Sequence, residues 1–441
     1  MQNESHLKKL FSQTVIYGLG IFLNKSVNFI LLPVYTKYFS PEEIGMFTLV
    51  QSLSLFLGVI YTFGVETSFM KYFIDAKDTS SKSGIYSSSL LLLSITSFIM
   101  SILVFIHAAD IAALFRFTAQ EKSIYLIKIL SVLLMIDTIY RFPLLLFRAE
   151  LNSKKYAWIN LLTFIVNIVC NIIFIVVLKQ GVEAIFYSYI ISVTVTFAAG
   201  LILTKKYLTS GVSLDTIKRL LRYGNKFIYI GIFIILIDMS DRFFLKYFYD
   251  ESVVGIYWAN YRLATLMSLV IAAFKFSWTP YFLNLSSNPE NKKIISSIFT
   301  YFVFAGLVMF LFFSVFMDQI TGTTIFGFEI LDENYRSGLH IVPIVLLAYL
   351  LSGIYSILNA APFFTDNTRA ILIITFAGLV INIIFNFVLI PELSITGAAL
   401  STMITYFSMF LIIYFYSQKI YKIEYDWNKI AGLSFLTAAA F

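Results

Sequence analysis

Charged residues stand inside apolar segments of this 441-residue chain, and the stretch ILIDMSDRFFL at Ile235 to Leu245 holds three of them. A charge at the centre of a membrane-spanning helix costs about 2.5 to 3.5 kcal/mol on insertion scales, so each needs a partner or a function. Asp238 and Arg242 stand at i and i+4, the order that favours pairing on a helix. We interpret them as a neutral pair and expect Asp241 to have a different role.

Asp137 and Arg141 show the same i, i+4 spacing in an earlier apolar segment. Two interpretations are equally open for them: a neutral pair, or groups that tune the field of a transport site or carry a coupling proton. Glu66 stands at the end of its apolar run and is expected to be balanced by Lys71 in the headgroup region.

Lys25, Asp241 and Arg262 have no oppositely charged residue one helical turn away in the sequence. Facing lipid they would cost several kcal/mol together, whereas in a water-filled cleft they would cost little and create a positive field. We therefore expect Lys25 and Arg262 to face such a cleft. Asp241 would face the same cleft and tune its field or carry a proton. The structural alternative is a fixed strut in which Asp241 pairs with either base across helices.

Amide and aromatic residues accompany both bases, and such side chains contact sugars. The predicted substrate-binding set adds Asn24, Asn28, Tyr257, Asn260 and Tyr261 to Lys25 and Arg262. The alternatives are hydrogen bonds between helices for the asparagines, and an interfacial aromatic belt for Tyr257 and Trp258.

Composition predicts a polytopic membrane protein, because 59% of the residues are hydrophobic, 13% are charged and the mean hydropathy is +0.84. Runs long enough to cross the hydrocarbon core recur twelve times. They cover residues 11–32, 44–64, 85–106, 123–144, 157–178, 184–203, 227–245, 253–274, 294–316, 339–362, 370–390 and 395–416. A thirteenth run opens at Ile430 and is predicted to be truncated.

Weak internal similarity divides the chain into halves. NSK at Asn152 returns as NTR at Asn367, 215 positions on, and IGMF at Ile44 matches VGIY at Val254, 210 positions on. At the 215-residue shift one i, i+4 asparagine pair meets another, namely Asn167 and Asn171 with Asn382 and Asn386. Halves with an even number of spans insert in the same orientation. The predicted fold is therefore all-α, with two parallel six-helix bundles related by a pseudo-twofold axis along the membrane normal and a substrate site between them.

The predicted domain boundaries follow from these repeats. Residues 1–204 form the N-terminal bundle, 205–226 a cytosolic amphipathic linker, 227–417 the C-terminal bundle, and 418–441 a cytosolic segment with the start of the incomplete thirteenth helix. In the linker, Ser213 can cap a short helix whose Leu214, Ile217, Leu220 and Leu221 share one face.

Lysine and arginine placement predicts that the N-terminus is cytosolic, because the loops on its side hold most of the basic residues. The net charge of +7 is explained by this asymmetry and by anionic lipid, so no nucleic-acid partner is inferred. The single cysteine, Cys170, excludes an internal disulfide, and the three histidines are scattered. We expect no metal and no cofactor.

Several ordered motifs resemble bacterial polysaccharide flippases of the multidrug, oligosaccharidyl-lipid and polysaccharide exporter superfamily. SDRFFL (Ser240 to Leu245), VGIYWANYRLA (Val254 to Ala264) and FSWTPYF (Phe276 to Phe282) are similar to the second half of that family. LLPVYTKYFSPEEIG (Leu31 to Gly45) and LFRAELNSKKYA (Leu146 to Ala157) are similar to its first half. The resemblance covers almost the whole chain.

The resemblance implies a carrier that moves undecaprenyl-diphosphate-linked oligosaccharide across the bacterial inner membrane, for O-antigen, capsule or exopolysaccharide assembly. Its partners would be the lipid-linked oligosaccharide, membrane lipid and other polysaccharide-assembly proteins of the membrane. A cation-coupled multidrug exporter of the same superfamily is the first alternative. A membrane polysaccharide polymerase or ligase is the second, although the longest external loop offers no nucleophile and base in a recognisable arrangement.

Overall fold

The computed structural model describes residues 23, 26–209, 211–285, 291–325, 327–365, 367 and 369–440, and these are largely helical. The helices of the N-terminal part are α1 (Leu32–Tyr38), α2 (Pro41–Thr62), α3 (Val65–Asp75), α4 (Thr79–Ile106), α5 (Ala108–Leu114), α6 (Gln120–Ala149), α7 (Ser153–Asn171) and α8 (Glu183–Thr204). A π-helical segment, Ile172–Val177, continues α7, and a 3-10 turn, Lys205–Tyr207, follows α8.

The C-terminal part begins with the long helix α9 (Leu214–Phe248). It is followed by α10 (Glu251–Leu285), α11 (Asn291–Gly322), α12 (Val342–Leu358), α13 (Ala360–Phe364), α14 (Arg369–Ile420) and α15 (Trp427–Ala440). A small hairpin of β1 (Thr324–Ile325) and β2 (Phe328–Glu329) and a 3-10 segment, Glu333–Ile341, precede α12. Within α14, Ser394 has φ 49°, so two helices meet there at a kink.

Local sequence signals fix several helix starts. Ser40 and Glu43 form a reciprocal capping box at α2: the backbone N–H of Glu43 donates to Ser40 Oγ at 3.3 Å, and that of Ser40 donates to Glu43 Oε2 at 3.2 Å. Pro41 occupies the first helical position, where its missing N–H costs no hydrogen bond. Asn152 caps α7 by accepting from the backbone N–H of Lys155 at 3.2 Å.

The apolar runs predicted between residues 44 and 416 all coincide with helix, which confirms an all-helical membrane fold. The first run, 11–32, lies mostly outside the described residues. Eight of the described helices are long and apolar enough to cross a membrane. The chain is therefore a multi-pass membrane protein.

Two compact units make up the structure. Unit 1 comprises Met1–Val27 and Met46–Ile235, and unit 2 comprises Asn28–Gly45 and Leu236–Phe441. The helices α2 and α9 each run through a boundary, so the first turn of α2 is counted with unit 2 and the first two-thirds of α9 with unit 1.

The predicted linker differs from the structure. Its helix starts at Leu214, after Ser213, whose hydroxyl accepts from the backbone N–H of Thr216 at 3.4 Å. It does not end in the linker but continues unbroken to Phe248. Leu220 is buried in the core of unit 1 and Ile217 packs against the same cluster, because that core offers the apolar face more contacts than a lipid surface would. Only Leu214 is exposed as an interfacial helix would require.

Candidate functional site

Two of the predicted substrate-binding residues, Asn24 and Lys25, lie outside the described residues. Asn28 is half-buried in the helical segment 26–30, at the start of the part of unit 2 that comes from the N-terminal sequence. Most of the predicted site residues that the structure describes lie in α9 and α10.

Arg242 forms a buried ion pair with Asp241. Its Nη1 lies 2.7 Å from Asp241 Oδ1, and the exposed fractions of the two side chains are 5% and 1%. The same carboxylate also accepts from the Arg242 backbone N–H at 2.8 Å, and its Oδ2 accepts from Tyr257 Oη at 2.6 Å. A carboxylate with three donors at this burial is a fixed structural anion.

Asp238 has a different partner from the one expected. Its Oδ1 accepts from Tyr406 Oη at 2.7 Å, while Arg242 Nη1 reaches only its backbone carbonyl, at 2.6 Å. The predicted pair of Asp238 with Arg242 is therefore wrong, and so is the expectation that Asp241 faces an open cleft. The i, i+4 rule considers one helix in isolation, whereas tyrosines from α10 and α14 decide which carboxylate the guanidinium takes.

Tyr257 and Asn260 are completely buried and do not offer a free surface to a sugar in this structure. Tyr257 donates to Asp241, and Asn260 Nδ2 donates to the carbonyls of Ile256 and Tyr335 at 2.8 Å each. The predictions of a sugar contact or a membrane belt for Tyr257 do not fit this burial. Both side chains instead hold α10 against its neighbours.

Aromatic rings surround the guanidinium of Arg242. It lies over Tyr261, 4.8 Å from the ring centroid, and 5.7 Å from that of Tyr257. Tyr261 in turn meets Tyr349 of α12 edge to face, with centroids 5.7 Å apart. Cation–π contact and the ion pair together fix this arginine in place.

Arg262 occupies a separate position on α10. It is half-buried, and its guanidinium lies 5.2 Å from the ring centroid of Trp258, one turn earlier. The Trp258 ring meets Tyr35 of α1 with centroids 6.4 Å apart. A guanidinium stacked by its face directs its N–H donors outward along its edge, the geometry that binds phosphate oxygens in pairs.

Unit 1 holds a second charged group, the Arg141 cluster, made of Glu66, Asp137, Arg141 and Tyr189. Arg141 donates through Nε and Nη2 to Asp137 Oδ2 at 3.0 and 2.6 Å, so the i, i+4 pair is present. Tyr189 Oη donates to the other oxygen, Oδ1, at 2.8 Å. Glu66 lies 3.5 Å from Arg141 Nη1, which corrects the expected balance with Lys71. Lys71 instead lies over the ring of Tyr223.

Sequence reasoning missed Tyr189 and Tyr406, the hydroxyl donors to Asp137 and Asp238. The two tyrosines are 217 positions apart, close to the 215-residue shift of the repeat. That shift also relates two buried amide networks: Asn171 Nδ2 donates to Asn167 Oδ1 at 2.7 Å, and Asn386 Nδ2 donates to Asn382 Oδ1 at 2.9 Å. The repeat was therefore the signal that could have found both tyrosines.

Solved structures of two kinds of transporter share the fold. A structure described as lipid II flippase MurJ in an inward closed conformation aligns with a TM-score of 0.77 at 17% identity, covering 98% of this chain and 91% of that one. An inward-facing multidrug resistance MATE family transporter of the MOP superfamily gives 0.74 at 16% identity, covering 90% and 96%. An outward-facing MATE transporter gives 0.62 at 16% identity, covering 97% and 96%.

The family model described as polysaccharide biosynthesis protein matches residues 10–286, more than half of the chain. No curated protein matches the chain. The fold agrees with the flippase and exporter structures, and the extent of the family match settles membership. The chain belongs to the polysaccharide biosynthesis protein family.

Proposed function

We propose that this protein transports a polyprenyl-diphosphate-linked oligosaccharide from the cytosolic to the outer face of the bacterial cytoplasmic membrane, for assembly of a surface polysaccharide such as O-antigen or capsule. The N-terminus lies in the cytosol in this proposal. The observation that carries it is Arg262, a cation at membrane depth stacked on Trp258, in a chain of the polysaccharide biosynthesis family.

The chemistry of the substrate requires such a group. A diphosphate that leaves water must exchange its hydration for fixed donors and positive charge, which a guanidinium provides through charge-assisted hydrogen bonds. Lys25 would add a second cation. The polyprenyl tail needs no carrier because it stays in lipid, and the site would be exposed to the two sides of the membrane in turn.

The division of charges in unit 2 supports assigning this role to Arg262 rather than Arg242. Arg242 is neutralised by Asp241 at 2.7 Å and enclosed by two tyrosines, so a phosphate would have to break a buried ion pair to reach it. Arg262 is half-buried. Asp238, which has a hydrogen bond from Tyr406 and is less buried than Asp241, becomes the better candidate for tuning the field or carrying a proton.

Export of organic cations is the second candidate function, because two of the solved structures with this fold are described as multidrug resistance transporters. Such a substrate needs an accessible carboxylate. Asp241 is enclosed by donors, so in unit 2 the half-buried Asp238 would be the carboxylate for such a substrate. The family match favours the lipid-linked substrate. A polymerase or ligase would need catalytic groups at its site, and we propose no residue for that role.

Leaflet accessibility of a short undecaprenyl-diphosphate oligosaccharide in reconstituted vesicles tests the proposal. The intact protein is compared with a Lys25→Ala, Arg262→Ala double variant, and Arg336→Ala serves as a control for loss of an arginine elsewhere in unit 2. Protein-dependent movement that is lost in the double variant and kept in the control is the expected result. Movement equal to that in empty vesicles, together with efflux of an amphiphilic cation, would contradict it.

A further inference from the structure

Two glycines make a reciprocal backbone contact in unit 2. A Cβ placed on Gly45 would lie 1.7 Å from the carbonyl oxygen of Glu251, and one on Gly255 would lie 1.9 Å from that of Pro41. Neither clash could be relieved by a side-chain movement, because both partners are backbone atoms. The first turns of α2 and α10 therefore cross in direct backbone contact, which only glycine allows.

The crossing repeats the sequence duplication. Gly45 and Gly255 are 210 positions apart, and so are Pro41 and Glu251. Gly45 of α2 meets Glu251 of α10, and Gly255 of α10 meets Pro41 of α2. The same contact is thus made in both directions, as at an isologous interface. At both positions the two turns meet through backbone atoms.

We call the segment Asn28–Gly45 the strap; polar contacts join it to the rest of unit 2 near the crossing. Tyr335 Oη donates to the carbonyl of Phe39 at 2.8 Å, and Lys37 Nζ lies 4.0 Å from Asp332 Oδ2. The backbone N–H of Asp332 donates to Thr36 Oγ1 at 3.4 Å. The Lys37 side chain is 60% exposed, so its contact with Asp332 is weak.

The strap also covers the proposed anion site. Tyr35 lies in the strap, its ring meets that of Trp258, and Trp258 carries the guanidinium of Arg262. Tyr35 and Trp258 are both almost completely buried. A headgroup bound at Arg262 therefore has the strap between itself and the end of the molecule where α2 and α10 begin, which is the outer end in the proposed orientation.

We propose that the strap is the outer gate of the transporter and that the crossing of Gly45 and Gly255 is where it closes. This inference rests on the proposed function. Release of the headgroup on the outer side requires the strap to leave unit 2, which breaks the contacts of Tyr335 and Asp332 and parts the two glycine turns. The two glycines let the gate close completely after each release.

Thiol labelling from the outside tests the closure. In a background where Cys170→Ser removes the single cysteine, Phe39→Cys places a reporter in the strap, and reaction with a membrane-impermeant maleimide is followed in intact cells. Gly45→Ala and Gly255→Ala should each speed labelling by about tenfold or more, since an added methyl at a tight contact disfavours the packed state by that order. Gly58→Ala is the matched control in α2, because its Cβ would meet nothing within 4 Å. Equal rates in all four proteins would overturn the proposal.

A second arm does not depend on the folding of the glycine variants. Lys37→Cys and Asp332→Cys are combined in the same background and joined by a short, reducible bis-thiol reagent, with Lys37→Cys alone as the control. Crosslinking should stop transport of the lipid-linked oligosaccharide, and reduction should restore it. Full transport by the crosslinked protein would show that the strap need not move and would contradict the proposal.

The two arms separate failure of the gate from failure of the proposed function. The labelling comparison contains no transport assay, so it reports on the strap whatever the protein transports. If the wild-type protein moved no lipid-linked oligosaccharide, the proposed function would fail while the labelling comparison still decided the gate.

Discussion

In each unit an arginine pairs with an aspartate that also accepts a hydrogen bond from a tyrosine hydroxyl: Asp137 in unit 1 and Asp241 in unit 2. In unit 1 the side chains of Arg141 and Glu66 remain 42% and 32% exposed. In unit 2 the side chains of Arg242 and Asp241 are 5% and 1% exposed. Similar residues thus form a partly exposed cluster in unit 1, here called open, and a buried one in unit 2, here called sealed.

Depth in the membrane therefore does not by itself identify a transport charge. A buried ion pair needs both partners, because water does not reach a charge left alone there. An open cluster can tolerate the loss of one member, since water screens what remains. Substitutions in the two groups test this difference.

Removal of Asp241 should have the largest effect on stability. Asp241→Ala leaves Arg242 buried without its anion, and breaking such a pair typically costs about 3 to 5 kcal/mol. We expect a large loss of thermal stability in detergent, measured by the unfolding midpoint of purified protein. An Asp241→Leu, Arg242→Met double variant should recover most of that loss, and a double variant less stable than Asp241→Ala would contradict a sealed ion pair.

The two tyrosine donors should have intermediate and similar effects. Tyr189→Phe and Tyr406→Phe each remove a hydrogen bond to a carboxylate, a contact worth about 1.5 to 3 kcal/mol. Unfolding midpoints are compared with that of Tyr229→Phe, an exposed tyrosine of α9, which should match the wild type. If only one of the two donors mattered, the parallel between the units would be broken.

Within the Arg141 cluster, substitution of Asp137 should cost more stability than substitution of Glu66. Asp137→Asn disrupts two contacts from Arg141 and one from Tyr189, so we expect a loss of about 1 to 3 kcal/mol. The unfolding midpoint of this variant is compared with that of the wild type. A midpoint unchanged from the wild type would mean that Arg141 and Tyr189 do not stabilise the fold through Asp137.

The smallest effect is expected for Glu66→Gln, at about 1 kcal/mol or less, because its contact with Arg141 is 3.5 Å long and both side chains are partly exposed. Raising the salt concentration should reduce this difference further. A loss as large as that of Asp241→Ala would show that the cluster is not open.

Sequence patterns predicted the helices well, because apolar runs of membrane length and capping signals such as Ser40 with Glu43 are local. They also predicted the pair of Asp137 and Arg141, which lies on one helix. They failed for Arg242, where the partner is the adjacent Asp241 and the choice depends on Tyr257 and Tyr406 from other helices. A side chain's partners across helices cannot be read from spacing along one of them.

The strap shows the same limit. The match of IGMF with VGIY marked Gly45 and Gly255 as equivalent positions, but nothing in the sequence placed them against each other. Likewise, no sequence pattern indicated that the segment Asn28–Gly45 belongs with the second half of the chain. Both facts depend on how the helices pack.

We propose that Arg242 is a structural charge and that Arg262 is a transport charge. Arg242→Gln and Arg262→Gln are purified in parallel, and the unfolding midpoint and the rate of undecaprenyl-diphosphate oligosaccharide transfer between leaflets are measured for each. We expect Arg262→Gln to lose transfer with a smaller fall in midpoint than Arg242→Gln, which should lose most stability. Normal transfer by Arg262→Gln, or an Arg242→Gln protein with wild-type stability, would contradict this assignment of the two arginines.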